Sequence, residues 1–320
     1  MEHVDTTAPH QRGPRTERPP TIRRAMVAIG APVLVFASAC GAVDEQSQSP
    51  EPGGAETTSP EVTTPAPETY PNYVALGDSY AAMGSTADEV PESGVCRRSA
   101  TNYPSLLATE ADDRIETLTD VTCGGAVLPD LMTEQHPGVP PQLDALGEET
   151  DLVTVSIGGN DIGFGRIVEC VAQAAFVGGG QADCAEQLAD ETDSTLAELG
   201  SSLDDIHDEI ARRSPDATVV ATQYLPMLPR DGTCPFIDGI RADDREWLAD
   251  LTDEVNDVVA EAAERAGHLT VLPETDVDRS GCAAPDERWV DFTGGETGSV
   301  PMHPTAAGQQ AMAEAVLEVL

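Results

Sequence analysis

From residue 70 to the C-terminus, short runs rich in β-branched residues alternate with longer segments of helical periodicity. The runs LVTVSI at 152–157 and ATVVAT at 217–222 read as strands. Between them, Leu196, Leu199, Leu203, Ile206 and Ile210 recur at spacings of three and four, so they share one face of a helix. Leu248, Leu251, Val255, Val258 and Ala262 repeat that pattern, and Gly267 closes the second helix. Further strands are expected at 72–76, 118–122 and 269–272. A helix is expected at 101–111, and Pro304 opens a last helix that runs to the end of the chain. Strand and helix in alternation point to a parallel sheet with helices on both faces. The expected fold is therefore a three-layer α/β/α sandwich around a mainly parallel five-stranded sheet, filling residues 70–320. In such sheets ligands bind at the carboxyl ends of the strands.

Those strand ends carry distinctive residues. The first strand runs into Gly77-Asp78-Ser79, where the glycine lets the backbone turn and the hydroxyl stands at the sheet edge. A plain turn rich in Gly, Asp and Ser would look the same. The second strand ends in Thr122-Cys123-Gly124-Gly125-Ala126, and the third in Gly158-Gly159-Asn160-Asp161. Met302-His303-Pro304-Thr305 stands near the C-terminus. Each block alone is a weak signal, since Gly-Gly turns and single histidines are common. In this order, on one alternating α/β chain, the set is specific.

The set resembles the SGNH hydrolases, also called the GDSL esterase/lipase family, whose fold is flavodoxin-like. GDSY matches the family's first block, CGGA the second, GGND the third and MHPT the last. Asn102-Tyr103-Pro104 and the cysteine layout are more narrowly similar to secreted actinobacterial esterases and lipases of this family. The resemblance implies an ester hydrolase in which Ser79 is the nucleophile and His303 the base. A serine hydroxyl needs a base to attack at neutral pH, and imidazole titrates in the right range. The Ser79 N–H, a glycine N–H and the Asn160 amide would then form the oxyanion hole. Gly125 is favoured over Gly124, because the Gly-Ala step fits the second block better. Many relatives place Asp three residues before the histidine, but this chain has Val300 there. The Val300 carbonyl is expected to orient the imidazole instead, with Asp291 and Glu296 as rivals. Related readings are a phospholipase, a thioesterase or a polysaccharide deacetylase. A non-catalytic surface module is the other alternative, and such a module has no need of Ser79, Asn160 and His303 together.

Other residues read more plainly. Asp78 should bond the turn's backbone, and Asp161 should hold the loop after Asn160. His207 is expected on the polar side of its helix, and His268 just past a helix end. Trp247 belongs to an apolar helix face, and Trp289 is expected near the pocket wall. The loops at 87–100, 127–141, 164–183 and 230–238 are expected to set specificity.

The N-terminal part is not fold. Arg23-Arg24 precede an apolar run from Ala25 to Phe36 and then Ala37-Ser38-Ala39-Cys40-Gly41, which reads as an export signal over 1–39. The run is too short to span a bilayer, which takes about 20 residues. Acylation of Cys40, as in bacterial lipoproteins, is preferred over simple cleavage near Ala39, although Ala37 stands where Leu is usual. Residues 40–69 are rich in Pro, Ser, Thr and Glu and cannot bury a core, so a disordered tether is expected. The chain has 7 cysteines. Setting Cys40 aside leaves an even set for disulfides in an oxidising compartment. Pairing neighbours in order gives Cys96–Cys123, Cys170–Cys184 and Cys234–Cys282, and the resembling enzymes also link sequential pairs. Metal binding is the rival use of cysteine, but the spacings hold no CxxC, and no metal or cofactor is expected. The formal charge is −40 and all 17 basic residues are arginine. A surface so acidic disfavours nucleic acid, whose phosphates need clustered cations. The expected partners are an ester substrate and, through Cys40, a membrane.

Overall fold

The computed structural model describes residues 68–176 and 183–320. The export signal, Cys40 and nearly all of the expected tether lie outside the described residues.

Five parallel strands form the central sheet: β1 (Asn72–Gly77), β2 (Thr117–Asp120), β3 (Leu152–Ser156), β4 (Thr218–Thr222) and β5 (Leu269–Val271), in the order β2-β1-β3-β4-β5. Val74 stands beside Thr119 on one side and Val153 on the other. Strand side chains alternate between faces, so β1 sends Val74 and Leu76 to one core and Tyr73 and Ala75 to the other. The first core is closed by α3 (Leu128–Met132), α5 (Cys184–Arg213) and α6 (Ala242–Ala266). The helical stripe expected from the sequence delivers Leu199, Leu203, Ile206 and Ile210 there, all buried. Each such side chain contributes about 1.5–3 kcal/mol relative to exposure. The second core is closed by α2 (Tyr103–Glu110) and α7 (Ala306–Val319). The architecture is thus the expected three-layer α/β/α sandwich. Among the described residues no helix is long and apolar enough to cross a membrane.

The chain leaves β1 towards β2 on one side, then returns to place β3 on the other. This reversal opens a crevice at the carboxyl ends of β1 and β3. A short helix, α1 (Ser79–Ala82), begins directly after β1 at that crevice. A two-residue antiparallel ribbon, β6 (Val290–Asp291) and β7 (His303–Pro304), lies beside the main sheet and pairs Asp291 with His303. Pro304 therefore belongs to this ribbon and does not open the last helix. Thr305 caps that helix, its hydroxyl accepting from the Gly308 N–H.

Two further expectations are corrected. Residues 164–183 are not simply a loop: α4 (Phe164–Phe176) occupies most of the segment. Phe164, Ile167 and Val171 carried its helical spacing in the sequence. His207 is not on a polar helix face but buried, with its Nδ1 2.9 Å from Nδ1 of His268. Helix α5 packs against α6 along this side, and the pair joins α5 to the turn after α6. The sequential disulfides are all present: Cys96–Cys123, Cys170–Cys184 and Cys234–Cys282. The second ties α4 to α5.

Candidate active site

Gly77 ends β1 with φ +149, where a Cβ would stand 2.6 Å from the Ser156 carbonyl oxygen. Only glycine fits so close to β3. The Gly77 N–H donates to Gln142 Oε1 at 2.7 Å, and Gln142 Nε2 donates back to the Gly77 carbonyl at 2.9 Å. Asp78 then caps α1 by accepting from the Tyr80 N–H at 2.8 Å. This leaves Ser79 as the first residue of α1, at the mouth of the crevice.

His303 Nε2 lies 2.7 Å from Ser79 Oγ. Its Nδ1 lies 2.7 Å from the Pro301 carbonyl oxygen. A carbonyl only accepts, so Nδ1 carries the ring proton and Nε2 is free to accept from the serine hydroxyl. Burial lowers the imidazole below its ordinary pKa, which favours this neutral form. The orienting carbonyl is thus that of Pro301, not Val300. The Val300 carbonyl is occupied in a turn with the His303 N–H at 3.2 Å. Between the two, Met302 has φ +62, a left-handed conformation rare outside glycine. That turn brings the Pro301 carbonyl to the ring edge at Nδ1. Tyr80 holds the turn by donating its hydroxyl proton to the Met302 carbonyl at 3.1 Å. The rival Asp291 is buried, but its carboxylate accepts from the Thr293 N–H and the Thr297 hydroxyl. Glu296 pairs with Arg288 at 3.2 Å.

The remaining strand ends converge on the same crevice. Asn160 shares a cavity wall with Ser79. One amide hydrogen on Asn160 Nδ2 donates to the Ala126 carbonyl at 2.9 Å, which leaves the other for a ligand. In the second block, the Gly124 N–H donates to the Cys96 carbonyl at 3.0 Å and the Ala126 N–H closes a turn on Cys123. The Gly125 N–H has no such partner among the described residues, and Gly125 has φ +77. The Cys96–Cys123 disulfide anchors this loop from below. Asp161 accepts from the Leu128 N–H at 3.0 Å, tying the Asn160 loop to the start of α3. Burial pushes its carboxyl up to about 6.

Tyr224, just after β4, carried no signal in the sequence. Its hydroxyl donates to Asp78 Oδ2 at 2.7 Å and accepts from the Gly159 N–H at 2.7 Å. A Cβ on Gly159 would lie 2.9 Å from the Tyr224 ring. One phenol therefore joins the ends of β1, β3 and β4 and lines the same cavity as Ser79 and Asn160. Burial pushes the Asp78 carboxyl up to about 7, against the bonds from Tyr224 and Tyr80. Trp289, expected near the pocket, packs in the second core instead. His136 is exposed in its own loop, outside the cavity lining.

The cavity beside Ser79 has a volume of about 50 Å³ and is partly open to solvent. Apart from the polar rim at Asp78, Ser79, Asn160 and Thr252, its walls are mainly apolar, from Ile162 and Phe164 across to Leu251 and Val255. Among the described residues no group of three or more His, Cys, Asp or Glu side chains is placed to hold a metal.

A parallel α/β sandwich with a serine, an imidazole and a carboxamide at one strand-end crevice has the layout of a lipase or esterase. Residues 75–311 match the GDSL-like lipase/acylhydrolase family, and the chain belongs to it. Lipase 2 of Streptomyces coelicolor is 37% identical over 261 residues, spanning 78% of this chain and 85% of that protein. Two solved structures share the fold at 28% identity. The extracellular lipase of Streptomyces rimosus has a TM-score of 0.66, and phospholipase A1 of Streptomyces albidoflavus has 0.64. Each comparison covers 78% of this chain and 99% of the other.

Proposed function

We propose that the chain is an exported serine ester hydrolase that works through a Ser79–His303 dyad oriented by a backbone carbonyl. The observation that carries this reading is the 2.7 Å approach of His303 Nε2 to Ser79 Oγ, with Nδ1 engaged by Pro301. As Oγ attacks the ester carbonyl, Nε2 takes its proton, and the Pro301 carbonyl stabilises the imidazolium that forms. The negative charge moves to the former carbonyl oxygen. The N–H groups of Ser79 and Gly125 and the free amide hydrogen of Asn160 receive it. The imidazolium then protonates the departing alcohol, leaving an acyl-enzyme. Water, deprotonated by His303, releases the acid and restores Ser79.

The apolar cavity suits an acyl chain, with the ester bond held at its polar rim. Three disulfides suit an oxidising, extracytoplasmic site. The sequence pattern of an export signal followed by Cys40 supports an acylated enzyme held at the outer face of a membrane, in reach of ester substrates there. The phospholipase A1 relative makes phospholipids a substrate class to include in any assay.

The test is hydrolysis of a nitrophenyl ester by wild type and Ser79→Ala. Loss of activity by about 10,000-fold or more, with the fold intact, is expected for a nucleophile. Equal activity, or a serine-directed phosphonate that fails to label Ser79, would overturn the reading.

A further inference from the structure

The peptide unit between Gly124 and Gly125 carries both the Gly124 carbonyl and the Gly125 N–H. Among the described residues no peptide bond is cis, so in this planar unit the two groups point in opposite directions. Whatever fixes the carbonyl therefore aims the N–H. Gln135 fixes it, its Nε2 donating to the Gly124 carbonyl at 3.0 Å. The loop is pinned at three further points. The Cys123 N–H donates to the Gly77 carbonyl at 2.9 Å, the Gly124 N–H to the Cys96 carbonyl at 3.0 Å, and Asn160 Nδ2 to the Ala126 carbonyl at 2.9 Å. None of these three bonds is made by the Gly124–Gly125 unit itself. Both flanking residues are glycines, so side-chain sterics do little to stop that plane from turning over. Gln135 is presented by a bonded turn just after α3, in which the Gly138 N–H donates to Glu134 Oε1 at 2.6 Å and the Val139 N–H to the His136 carbonyl at 2.8 Å. Its other amide atom, Oε1, is buried with no partner among the described residues. A buried acceptor left unpaired costs stability, so an apolar side chain of the same length would serve the turn about as well. The bond to Gly124 is what calls for an amide.

We propose that Gln135 is a positioning residue for the reaction: it holds the Gly124–Gly125 peptide in the orientation that turns the Gly125 N–H towards the developing oxyanion. This rests on the esterase reading above, in which that N–H is one of three oxyanion donors. Turned over, the unit would present the Gly124 carbonyl oxygen where the oxyanion forms, and the two acceptors would repel. The negative charge develops only as Ser79 attacks. A misaimed donor therefore costs binding of the transition state rather than of the substrate. Loss of the Gln135 bond should lower kcat and leave KM nearly unchanged.

The experiment uses two variants of similar length. Gln135→Met has no donor. Gln135→Glu has a carboxylate that only accepts, but its protonated form carries an O–H that donates. Both are compared with wild type and Ser79→Ala for kcat and KM on a nitrophenyl ester. Affinity is measured for an alkyl trifluoromethyl ketone, which forms a reversible tetrahedral adduct bearing an oxyanion on Ser79. Gln135→Met should lose about 10- to 100-fold in kcat and a similar factor in ketone affinity, short of the roughly 100- to 1,000-fold that follows loss of an oxyanion donor. Its KM should stay within about twofold of wild type. Gln135→Glu should be the more impaired at about pH 8, and its deficit against wild type should shrink about threefold or more towards pH 5, as the new carboxyl gains its proton. Protonation of His303 slows both enzymes alike and cancels in that ratio. Unchanged kcat, a change in KM alone, or a fall in kcat without a matching fall in ketone affinity overturns the inference alone. A Gln135→Glu deficit that stays flat with pH also overturns it, and this comparison stands even if Gln135→Met does not fold. If wild type hydrolyses no ester, or Ser79→Ala is as active, the esterase reading and this inference fall together.

Discussion

The turn carrying Ser79 and the segment carrying His303 meet through the Ser79–His303 and Tyr80–Met302 hydrogen bonds, yet different kinds of group hold them. Around Ser79 side chains reinforce the backbone bonds: Gln142 on Gly77, Asp78 on Tyr80, and Tyr224 on Asp78. Gln309 adds two more, donating from Nε2 to the carbonyls of Tyr80 and Met83. Around His303 the fixing groups are mostly backbone groups. The β6–β7 ribbon pairs it with Asp291, the Met302 N–H donates to the Asp291 carbonyl at 2.7 Å, and the ring itself rests on Pro301. The Ser79 side can thus be weakened by a point substitution, while the carbonyl that meets His303 Nδ1 survives any side-chain change that preserves the turn. The difference also explains how the chain does without an acid three residues before the histidine.

Substitutions can break this asymmetry in graded steps. Asn160→Ala removes a donor from the crevice and should lower kcat by about 100- to 1,000-fold with little change in KM. A loss confined to KM would mean that Asn160 merely binds substrate. Next is Tyr224→Phe, which strips a bond from Asp78 and from the Gly159 N–H while keeping the ring. A fall in kcat of about tenfold is expected, as two buried partners lose one hydroxyl worth roughly 1–3 kcal/mol. Affinity for a phosphonate transition-state mimic should fall in parallel; unchanged kcat would make the phenol a purely structural strut.

On the other side, Asp291→Ala should lower thermal stability by roughly 1–3 kcal/mol, because Thr293 and Thr297 lose their acceptor. Its kcat should stay within about threefold of wild type, since the ring is oriented by a main-chain group. A loss as large as that of His303→Ala would transfer the orienting role to Asp291 and end the comparison. The smallest effect concerns pH. His207 lies away from both segments, and burial lowers its pKa to about 4, with repulsion from His268 contributing. Its folded value lies below the unfolded value of about 6.5, so the stability it contributes is present above that pH and is lost as pH falls towards 4. Over that window the unfolding midpoint of wild type should drop more than that of His207→Gln. Parallel curves would show that the histidine pair does not titrate on unfolding.

The five strands, the two long helices and the blocks at the strand ends were legible because their signals are local. Periodicity in Leu199–Leu203–Ile206–Ile210 depends only on neighbours along the chain. Likewise Gly77 marks its turn through its own missing side chain. The cysteine order also sufficed, since each cysteine pairs with its neighbour along the chain. The α4 helix had a local signal too, in Phe164, Ile167 and Val171, but it was obscured by the glycine-rich stretch that follows.

What only the tertiary structure decided are contacts whose partners are far apart in sequence and share no pattern. Tyr224 reaches Asp78 across 146 positions, and Gln142 reaches Gly77 across 65. Nothing near Tyr224 distinguishes it from a core tyrosine until β4 is placed beside β3. Choosing between the carbonyls of Val300 and Pro301 turned on the left-handed backbone of Met302, which a residue type does not announce. The burial of His207 depended on where His268 came to rest. Residue order specifies the local conformation through short-range sterics and periodicity. The path of the loops between elements then selects which polar groups meet, because that selection minimises unpaired donors over the whole fold.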